Sequence, residues 1–197
     1  PTRCAYCSFI SAAGSANRLI PQYLEALLTE IDAAGAAARQ AGKTVRAVYI
    51  GGGTPTTLEA DQLARLLERV GTAFALAPGT ECTVEAGRPD TITREKLLAI
   101  RAGGGNRISV NPQTMSDPVL AAIGRSHRAA DIRRAYALAR ARINGAEMRT
   151  RFDIQVAPPD ILITNYSMLS IMLMRDIDSG IFDKTREWLE CKDVYSQ

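Results

Sequence analysis

The chain has 197 residues, of which 46% are hydrophobic and 23% are charged, and it carries a net charge of +3. This is globular usage, at a length suited to one ordinary domain or to one domain with an appendage. Four cysteines at this length do not make a disulfide framework, and arginines that are scattered rather than massed do not indicate a nucleic-acid partner.

Cys4 and Cys7 form a Cys-x-x-Cys pair at the start of the chain. Such a pair can be a redox dithiol, half of a zinc site or part of an iron–sulfur site. A third cysteine directly before Pro1 would complete Cys-x-x-x-Cys-x-x-Cys, in which three thiolates hold a 4Fe–4S cluster and leave one iron open. The sequence has no second Cys-x-x-Cys, its single histidine is His127, and no strand pattern precedes Cys4. The pair alone leaves these alternatives open.

Helical and strand patterns alternate after this loop. Helices are indicated by apolar residues every three or four positions, and strands by short runs rich in β-branched residues. In chain order, the predicted elements are a helix around Tyr23–Ile31, strand Val45–Ile50, helix Leu63–Phe74, strand Cys82–Glu85, helix Thr93–Ile100, strand Arg107–Val110, a short helix with Pro118 at its first turn, helix Ala130–Arg142, strand Ile161–Thr164 and a Met-rich helix.

Connections of a few residues between strands and helices predict a parallel sheet. The strands have the pattern of buried strands rather than an alternating one, which agrees with a parallel sheet. Pro21 is expected near the first turn of the first helix, and Thr93 as the N-cap of the third. Cys82 is expected to be a buried, small apolar residue.

The unusual residues follow the predicted strands. Gly51–Pro55 comes after one strand, Glu85 ends the next, and Asn111–Gln113 follows the third. In parallel α/β folds the chemistry lies at these carboxyl ends, and glycines allow a ligand close to the backbone. Simpler alternatives remain: the glycines form a plain turn, Glu85 is a solvated carboxylate, Gln113 is a turn residue, and Arg125 and His127 cap the helix that ends before them.

Taken together and in this order, these segments resemble a radical S-adenosylmethionine (SAM) enzyme. The closest resemblance is to the oxygen-independent coproporphyrinogen III oxidase group, in its coproporphyrinogen dehydrogenase-like branch. It covers roughly residues 1–142 and is carried by residues 1–9, Tyr49–Thr56, Thr83–Ile92, Asn106–Met115 and Ile123–His127.

The resemblance implies two cofactors, a 4Fe–4S cluster and SAM, and assigns residues to them. Cys4 and Cys7 would be two of the three cluster ligands. Residues implied to contact SAM, at its methionine end, near its ribose or along the site wall, are Gly51, Gly52, Gly53, Thr54, Pro55, Glu85, Gln113 and Arg125.

The implied activity is the oxidative decarboxylation of coproporphyrinogen III propionates in haem biosynthesis. SAM is cleaved by one electron from a donor, and the 5′-deoxyadenosyl radical abstracts hydrogen from a propionate, which becomes a vinyl group. The resemblance indicates no catalytic residue. A relative that handles haem without oxidase activity is an alternative.

The implied fold is α/β, a partial (β/α) barrel of parallel strands that lacks its first strand and has a C-terminal strand–helix appendage. Residues 1–142 would form the core, 143–156 a junction, and 157–197 a separate segment, which through about residue 190 resembles the stretch ahead of the DEAH box in superfamily 2 helicases. With no Walker A or DEAH box in the sequence, ATP hydrolysis is not supported. The alternatives are an inactive hybrid of two fragments and a divergent last strand and helix of the barrel.

No signal sequence opens the chain, and its longest apolar stretch is too short to span a bilayer. A cytoplasmic setting without a membrane partner is therefore expected.

Overall fold

The fold was obtained as a computed structural model, which describes residues 16–143 and the backbone of residues 161–163. Helices and strands alternate, so the α/β class is confirmed. The elements are α1 (Ala16–Gln40), β1 (Val45–Ile50), α2 (Ala60–Ala73), β2 (Leu76–Glu85), α3 (Arg94–Ala102), β3 (Arg107–Ser109), α4 (Asp117–Ala122), α5 (Ala129–Arg140) and β4 (Ile161–Ile163), with 3₁₀ turns at Pro55–Thr57 and Pro89–Thr91.

The four strands form one sheet in the order β3-β2-β1-β4, and every neighbouring pair is parallel. The carboxyl ends of β1, β2 and β3 lie together, because Ile50 pairs with Val84 and Glu85 pairs with Ser109. The sheet does not close on itself within the described residues, as expected of a partial barrel. The C-terminal strand is present as β4, beside β1.

The two faces of the sheet differ in chemistry. One face packs on the helices and contributes Val48, Ile50 and Val84 to the hydrophobic core. The opposite face is polar over much of β2 and β3, yet Tyr49, Thr83 and Ser109 on it are buried, so the strands are buried as predicted although one of their faces is polar. Because side chains alternate between faces along a strand, a sheet with helices over one face needs apolar residues only at every second position. The polar face carries Tyr49, Glu81, Thr83, Glu85, Arg107 and Ser109.

Helix α2 shows how the core is built. Its buried residues Leu63, Leu66, Leu67 and Val70 follow the i, i+3, i+4, i+7 spacing of one helix face. At its start, the Glu59 backbone N–H donates to the Gln62 side chain over 2.9 Å, which satisfies one of the amides that a helix leaves unpaired.

Helices α1 and α2 approach unusually closely near their carboxyl ends. A Cβ on Gly35 would lie 2.4 Å from the carbonyl oxygen of Ala73, so only glycine fits there. Arg39 of α1 donates to the same Ala73 oxygen, and also to the Thr72 oxygen at 3.2 Å. The terminal carbonyls of α2 are thus capped by a cation from the neighbouring helix.

The local helix signals have mixed outcomes. Thr93 is the N-cap of α3, as predicted: its hydroxyl accepts the Lys96 N–H at 3.3 Å. Helix α1 begins earlier than expected, at Ala16, so Pro21 lies inside it. The helix tolerates the missing N–H because the carbonyl that loses its partner belongs to the first turn. No described helix is long and apolar enough to cross a membrane.

Candidate functional site

The glycine segment after β1 forms a tight turn that could not carry side chains without rearrangement. Gly52 is buried with φ at 118°, which favours glycine. A Cβ on Gly51 would lie 2.6 Å from the Tyr49 ring and 3.0 Å from Glu85 Oε2. The Thr54 hydroxyl donates to the Gly53 carbonyl at 2.6 Å, and Pro55 then begins the 3₁₀ turn. The turn is therefore shaped by close approach to Tyr49 and Glu85.

Glu85, at the end of β2, connects two neighbouring strand ends to its own. Its Oε2 accepts the Gly52 backbone N–H at 3.3 Å. Its Oε1 accepts the Asn111 side-chain amide at 3.1 Å. The carboxylate is thus held from both sides, by the turn after β1 and by the segment after β3.

Burial raises the pKa of Glu85 from 4.5 to about 7, and the hydrogen bond from Gly52 limits the rise. The phenol of Tyr49 has its pKa raised by burial and by the charge of Glu85, while a hydrogen bond with Ser109 and the charge of Arg107 oppose the rise. Glu85 is therefore a carboxyl group whose charge changes near neutral pH, in contrast to the solvated carboxylate considered from the sequence. Such perturbed groups occur preferentially at functional sites.

The turns that follow β1 and β2 are joined by a buried polar network. Thr91 donates its hydroxyl to the Arg88 carbonyl at 2.8 Å, so the 2.6 Å contact between the Thr56 and Thr91 hydroxyls has Thr56 as donor. The Lys96 ammonium donates to the Thr56 carbonyl at 3.0 Å, and it lies 3.6 Å from the Glu59 carboxylate. These contacts fix one turn against the other without using the Glu85 carboxylate.

Gln113 lies beyond β3 with φ at 65°, in the left-handed region that few residues other than glycine adopt. Its side chain is exposed. Residues in such sparsely populated backbone conformations are concentrated at functional sites. The residue that reaches Glu85, however, is Asn111.

Arg125 is positioned by the end of α4. The Gly124 N–H donates to the Ala121 carbonyl at 3.1 Å, and the Arg125 N–H donates to the Leu120 carbonyl at 2.9 Å. This is the Schellman arrangement, with Gly124 in the left-handed conformation. The guanidinium then donates to the Gly87 carbonyl at 3.0 Å, two residues past Glu85. The Arg125 side chain therefore reaches the strand-end region.

His127 is almost fully buried, with 3% of its surface exposed, and neither ring nitrogen has a hydrogen-bond partner in the described structure. Its side chain therefore caps no described helix. Burial lowers the pKa of His127, as does the charge of Arg125, with a smaller effect from Arg88; Asp90 and Asp131 oppose this. Cys82 is buried as expected, and burial raises its pKa to about 11, with the charge of Glu81 adding to the rise, so it is an unreactive thiol.

The sequence-predicted residues are brought together in part. Gly51, Gly52 and Glu85 are in direct contact, and Arg125 reaches the segment after Glu85. Gly53, Thr54 and Pro55 share the turn but make no described contact with the carboxylate. Cys4 and Cys7 lie outside the described residues, and between residues 16 and 143 no cluster of His, Cys, Asp and Glu could hold a metal ion.

Sequence reasoning placed Asn111 at the end of the third strand and Tyr49 in the strand before the glycines, but it assigned neither of them a role in the site. The signal for a polar face was present in the alternation of Glu81, Thr83 and Glu85 along β2.

Most of the chain that contains these strand ends matches a known family. Residues 1–150 match the radical SAM superfamily. The chain belongs to that superfamily. Its members use a 4Fe–4S cluster and SAM, so the cofactors expected from the sequence are confirmed at this level.

Similar proteins include an oxidase-like protein of the coproporphyrinogen group and a haem chaperone. HemZ of Bacillus subtilis (strain 168), an oxygen-independent coproporphyrinogen-III oxidase-like protein, is 40% identical over 143 residues, which are 71% of this chain and 28% of HemZ. The haem chaperone HemW of Mycobacterium tuberculosis (strain ATCC 25618 / H37Rv) is 39% identical over 128 residues, 64% of this chain and 32% of HemW. The chain thus spans about a third or less of each relative.

Among solved structures, coproporphyrinogen III oxidase (HemN) from Escherichia coli, a radical SAM enzyme, matches with a TM-score of 0.64 and 24% identity. The match covers 95% of this chain and 49% of the HemN chain. At this identity it supports the fold, and it agrees with a partial radical SAM barrel.

The described residues fit SAM by their chemistry. Gly51 brings its backbone close to the Glu85 carboxylate, and Gly87 places no side chain next to that carboxylate. SAM offers hydroxyl groups that can donate hydrogen bonds to a carboxylate, and a polar methionine end that backbone groups can bind. The fit of the cluster depends on Cys4 and Cys7, outside the described residues.

Proposed function

We propose that the chain is the SAM-binding part of a radical SAM oxidoreductase that decarboxylates propionate side chains of coproporphyrinogen III. One observation carries the proposal: the Glu85 carboxylate is held between the turn after β1 and the segment after β3, at 3.3 and 3.1 Å. This brings three strand ends to one place, where parallel α/β folds bind their ligands. The identity with HemZ supports the substrate class.

Each group has a distinct role in this proposal. The backbone of Gly51–Thr54 binds the methionine end of SAM, because the three glycines carry no side chains of their own that would keep a ligand away. Glu85 accepts hydrogen bonds from the ribose hydroxyls, and Gln113 makes a further contact with SAM. Arg125 fixes the segment after Glu85 through the Gly87 carbonyl. Cys4 and Cys7 are two cluster ligands.

The bound cofactors supply the chemistry, a carbon radical generated by one-electron reduction that removes hydrogen from the substrate. The protein residues described above orient SAM. A porphyrinogen is the proposed substrate, and a low-potential one-electron donor is the proposed redox partner.

The test is anaerobic reconstitution with iron and sulfide of three forms of the chain: the chain as it stands, the chain with one cysteine added before Pro1, and the latter carrying Cys4→Ser. The form with three cysteines is expected to bind a 4Fe–4S cluster, to show its electron paramagnetic resonance signal after dithionite reduction, and to release 5′-deoxyadenosine from SAM. A cluster that forms equally well with Cys4→Ser, or a reduced cluster that leaves SAM intact, would contradict the proposal.

A haem-handling function is the second candidate, favoured by 39% identity to the HemW of M. tuberculosis. The two functions are separated with the reconstituted chain. Conversion of coproporphyrinogen III with release of carbon dioxide supports the oxidase. Stoichiometric haem binding, seen as a Soret band, without conversion supports the haem-handling alternative.

We further propose the division into residues 1–142, 143–156 and 157–197, in which the last part is either derived from a helicase or a divergent strand and helix of the barrel. The parallel pairing of β4 with β1 favours the alternative, in which the last segment belongs to the same sheet. Sequencing of source DNA across the codons for residues 140–160 tests the division, and one continuous natural gene would count against a hybrid.

A further inference from the structure

We propose that Asn111 is a positioning residue, whose side-chain amide holds the Glu85 carboxylate in the orientation in which it contacts the nucleoside of SAM. This inference rests on the proposed function, since it concerns the same site. It assigns a role to a residue that the sequence placed at a strand end without giving it a function.

The geometry gives each carboxylate oxygen one fixed donor. Asn111 Nδ2 donates to Oε1 at 3.1 Å, and the Gly52 N–H donates to Oε2 at 3.3 Å. Two donors from different strand ends fix the rotation of the carboxylate plane. Because each carboxylate oxygen can accept two hydrogen bonds, both oxygens keep capacity for the hydroxyl groups of a ligand.

The residue type suits this task. A neutral amide donates one hydrogen bond and leaves the charge on the carboxylate, whereas an arginine would bind both oxygens as an ion pair. The neighbouring position is glycine: a Cβ on Gly87 would lie 3.6 Å from Glu85 Oε1 and 3.8 Å from Asn111 Nδ2. The Asn111–Glu85 pair therefore has no side chain from Gly87 between it and a ligand.

Other titratable and charged side chains on this face of the sheet are bonded to one another rather than to Glu85. The Tyr49 hydroxyl bonds Ser109, and Arg107 of β3 pairs with Glu81 of β2 at 2.5 Å. Gly52 and Asn111 are thus the donors described at Glu85. Since a donor to the charged form of a carboxyl group favours that form, losing the amide raises the pKa of Glu85.

The experiment compares Asn111→Ala with a matched control, Asn106→Ala, in the full 197-residue chain. Asn106 precedes β3 at its other end, where its side chain bonds the Cys82 N–H and the Thr80 carbonyl. Both variants remove one asparagine amide beside β3, but only Asn111 contacts Glu85. A general effect on folding would appear in both.

Two readouts are used. The first is the carboxyl ¹³C shift of Glu85 against pH, with the resonance assigned through Glu85→Gln. Asn111→Ala is expected to raise the titration midpoint by about one pH unit, the size expected for one hydrogen bond to a charged group. The second is calorimetric affinity for S-adenosylhomocysteine, expected to fall about tenfold at pH 7 and to recover in part at pH 9, where Glu85 is ionised.

The control is expected to leave both the midpoint and the affinity unchanged. An Asn111→Ala chain with the wild-type midpoint, or with a shifted midpoint and wild-type affinity, overturns the positioning role. If the wild-type chain does not bind S-adenosylhomocysteine, the proposed function fails together with the ligand contact, and the midpoint still decides whether Asn111 holds Glu85.

Discussion

At the amino end of β3, polar side chains close hydrogen bonds between neighbouring strands, whereas at the carboxyl ends of β1, β2 and β3 they gather around one carboxylate. Asn106 bonds the Cys82 N–H and the Thr80 carbonyl, and Arg107 pairs with Glu81. In each of these pairs a donor meets an acceptor or a cation meets an anion. At the opposite end, Glu85 is withdrawn from solvent without a cation described beside it, and its pKa is about 7.

The backbone differs in the same way. The carboxyl ends include Gly52 and Gln113 with positive φ, and a turn at Gly51 with no room for a methyl group. Strain and desolvation of this kind are costs that a stability-optimised sheet would avoid. The comparison indicates that one end of the sheet contributes stability and the other is organised for a ligand.

The largest effect is expected from Gly51→Ala, which should disrupt the site at the carboxyl ends of the strands. The new methyl group would lie 2.6 Å from the Tyr49 ring and 3.0 Å from Glu85 Oε2, so the turn and the carboxylate must move apart. We expect the free energy of unfolding to fall by about 1–3 kcal/mol, as for overpacking in general. Affinity for S-adenosylhomocysteine should fall by at least about tenfold, or roughly 1.4 kcal/mol.

Urea denaturation and calorimetry measure these two effects of Gly51→Ala. Unchanged affinity would show that the turn does not contact the ligand.

A smaller effect, on stability alone, is expected from Asn106→Ala at the other end of β3. Two hydrogen bonds between β2 and the segment before β3 are lost, and the Asn106 side chain is partly accessible to water, so the cost should be about 1–2 kcal/mol. Chemical denaturation gives the change, with ligand affinity as the second measurement. A loss of affinity comparable to that of Gly51→Ala would remove the distinction between the two ends.

The pH dependence of stability gives a third test. The pKa of Glu85 is raised in the folded chain, so the folded state holds this proton more tightly than the unfolded state. The contribution of Glu85 to stability should therefore fall as pH rises from 4.5 to about 7, by at most about 1.4 kcal/mol per pH unit. Glu85→Gln removes this dependence, so its stability relative to wild type should increase over that range.

Denaturation at several pH values between 5 and 8 measures this difference, with Glu68→Gln, at an exposed position of α2, as the control for losing one carboxylate. A difference between Glu85→Gln and wild type that stays constant with pH would show that Glu85 is solvated like a surface residue.

The smallest effect should come from Gly71→Ala in α2, a glycine with open space around its Cβ position. Alanine is the better helix former, so the chain should gain about 0.5–1 kcal/mol with unchanged ligand affinity. Thermal unfolding measures the gain. A loss of stability would mean that the position has a packing role, and this variant also controls for the glycine-to-alanine change made at Gly51.

The sequence predicted the positions of strand ends well, because parallel strands with short connections must end on one edge. Gly51, Gly52 and Glu85 therefore came together as expected. It could not predict the partner of the carboxylate, because the path of the chain beyond β3 decides whether Asn111 or Gln113 reaches Glu85, and that path includes a left-handed residue.

The polar face was missed for a different reason. Only the last four residues of β2 were recognised, and Thr83 and Val84 both read as β-formers in so short a run. The full strand, Leu76–Glu85, shows the alternation of Glu81, Thr83 and Glu85. The early start of α1 was missed because Pro21 was read as its first turn.

The close contact between α1 and α2 fixes the position of one helix along the axis of the other. The absence of a side chain on Gly35 leaves room for the Ala73 carbonyl. Arg39, one turn later on α1, donates to the same oxygen, so the two contacts together allow only one relative position of the helices. Inserting one residue into α1 ahead of Gly35 would turn the glycine by about 100° relative to the preceding part of the helix. The Ala-rich stretch around Gly35 has no obvious motif, yet its glycine determines how the two helices are aligned.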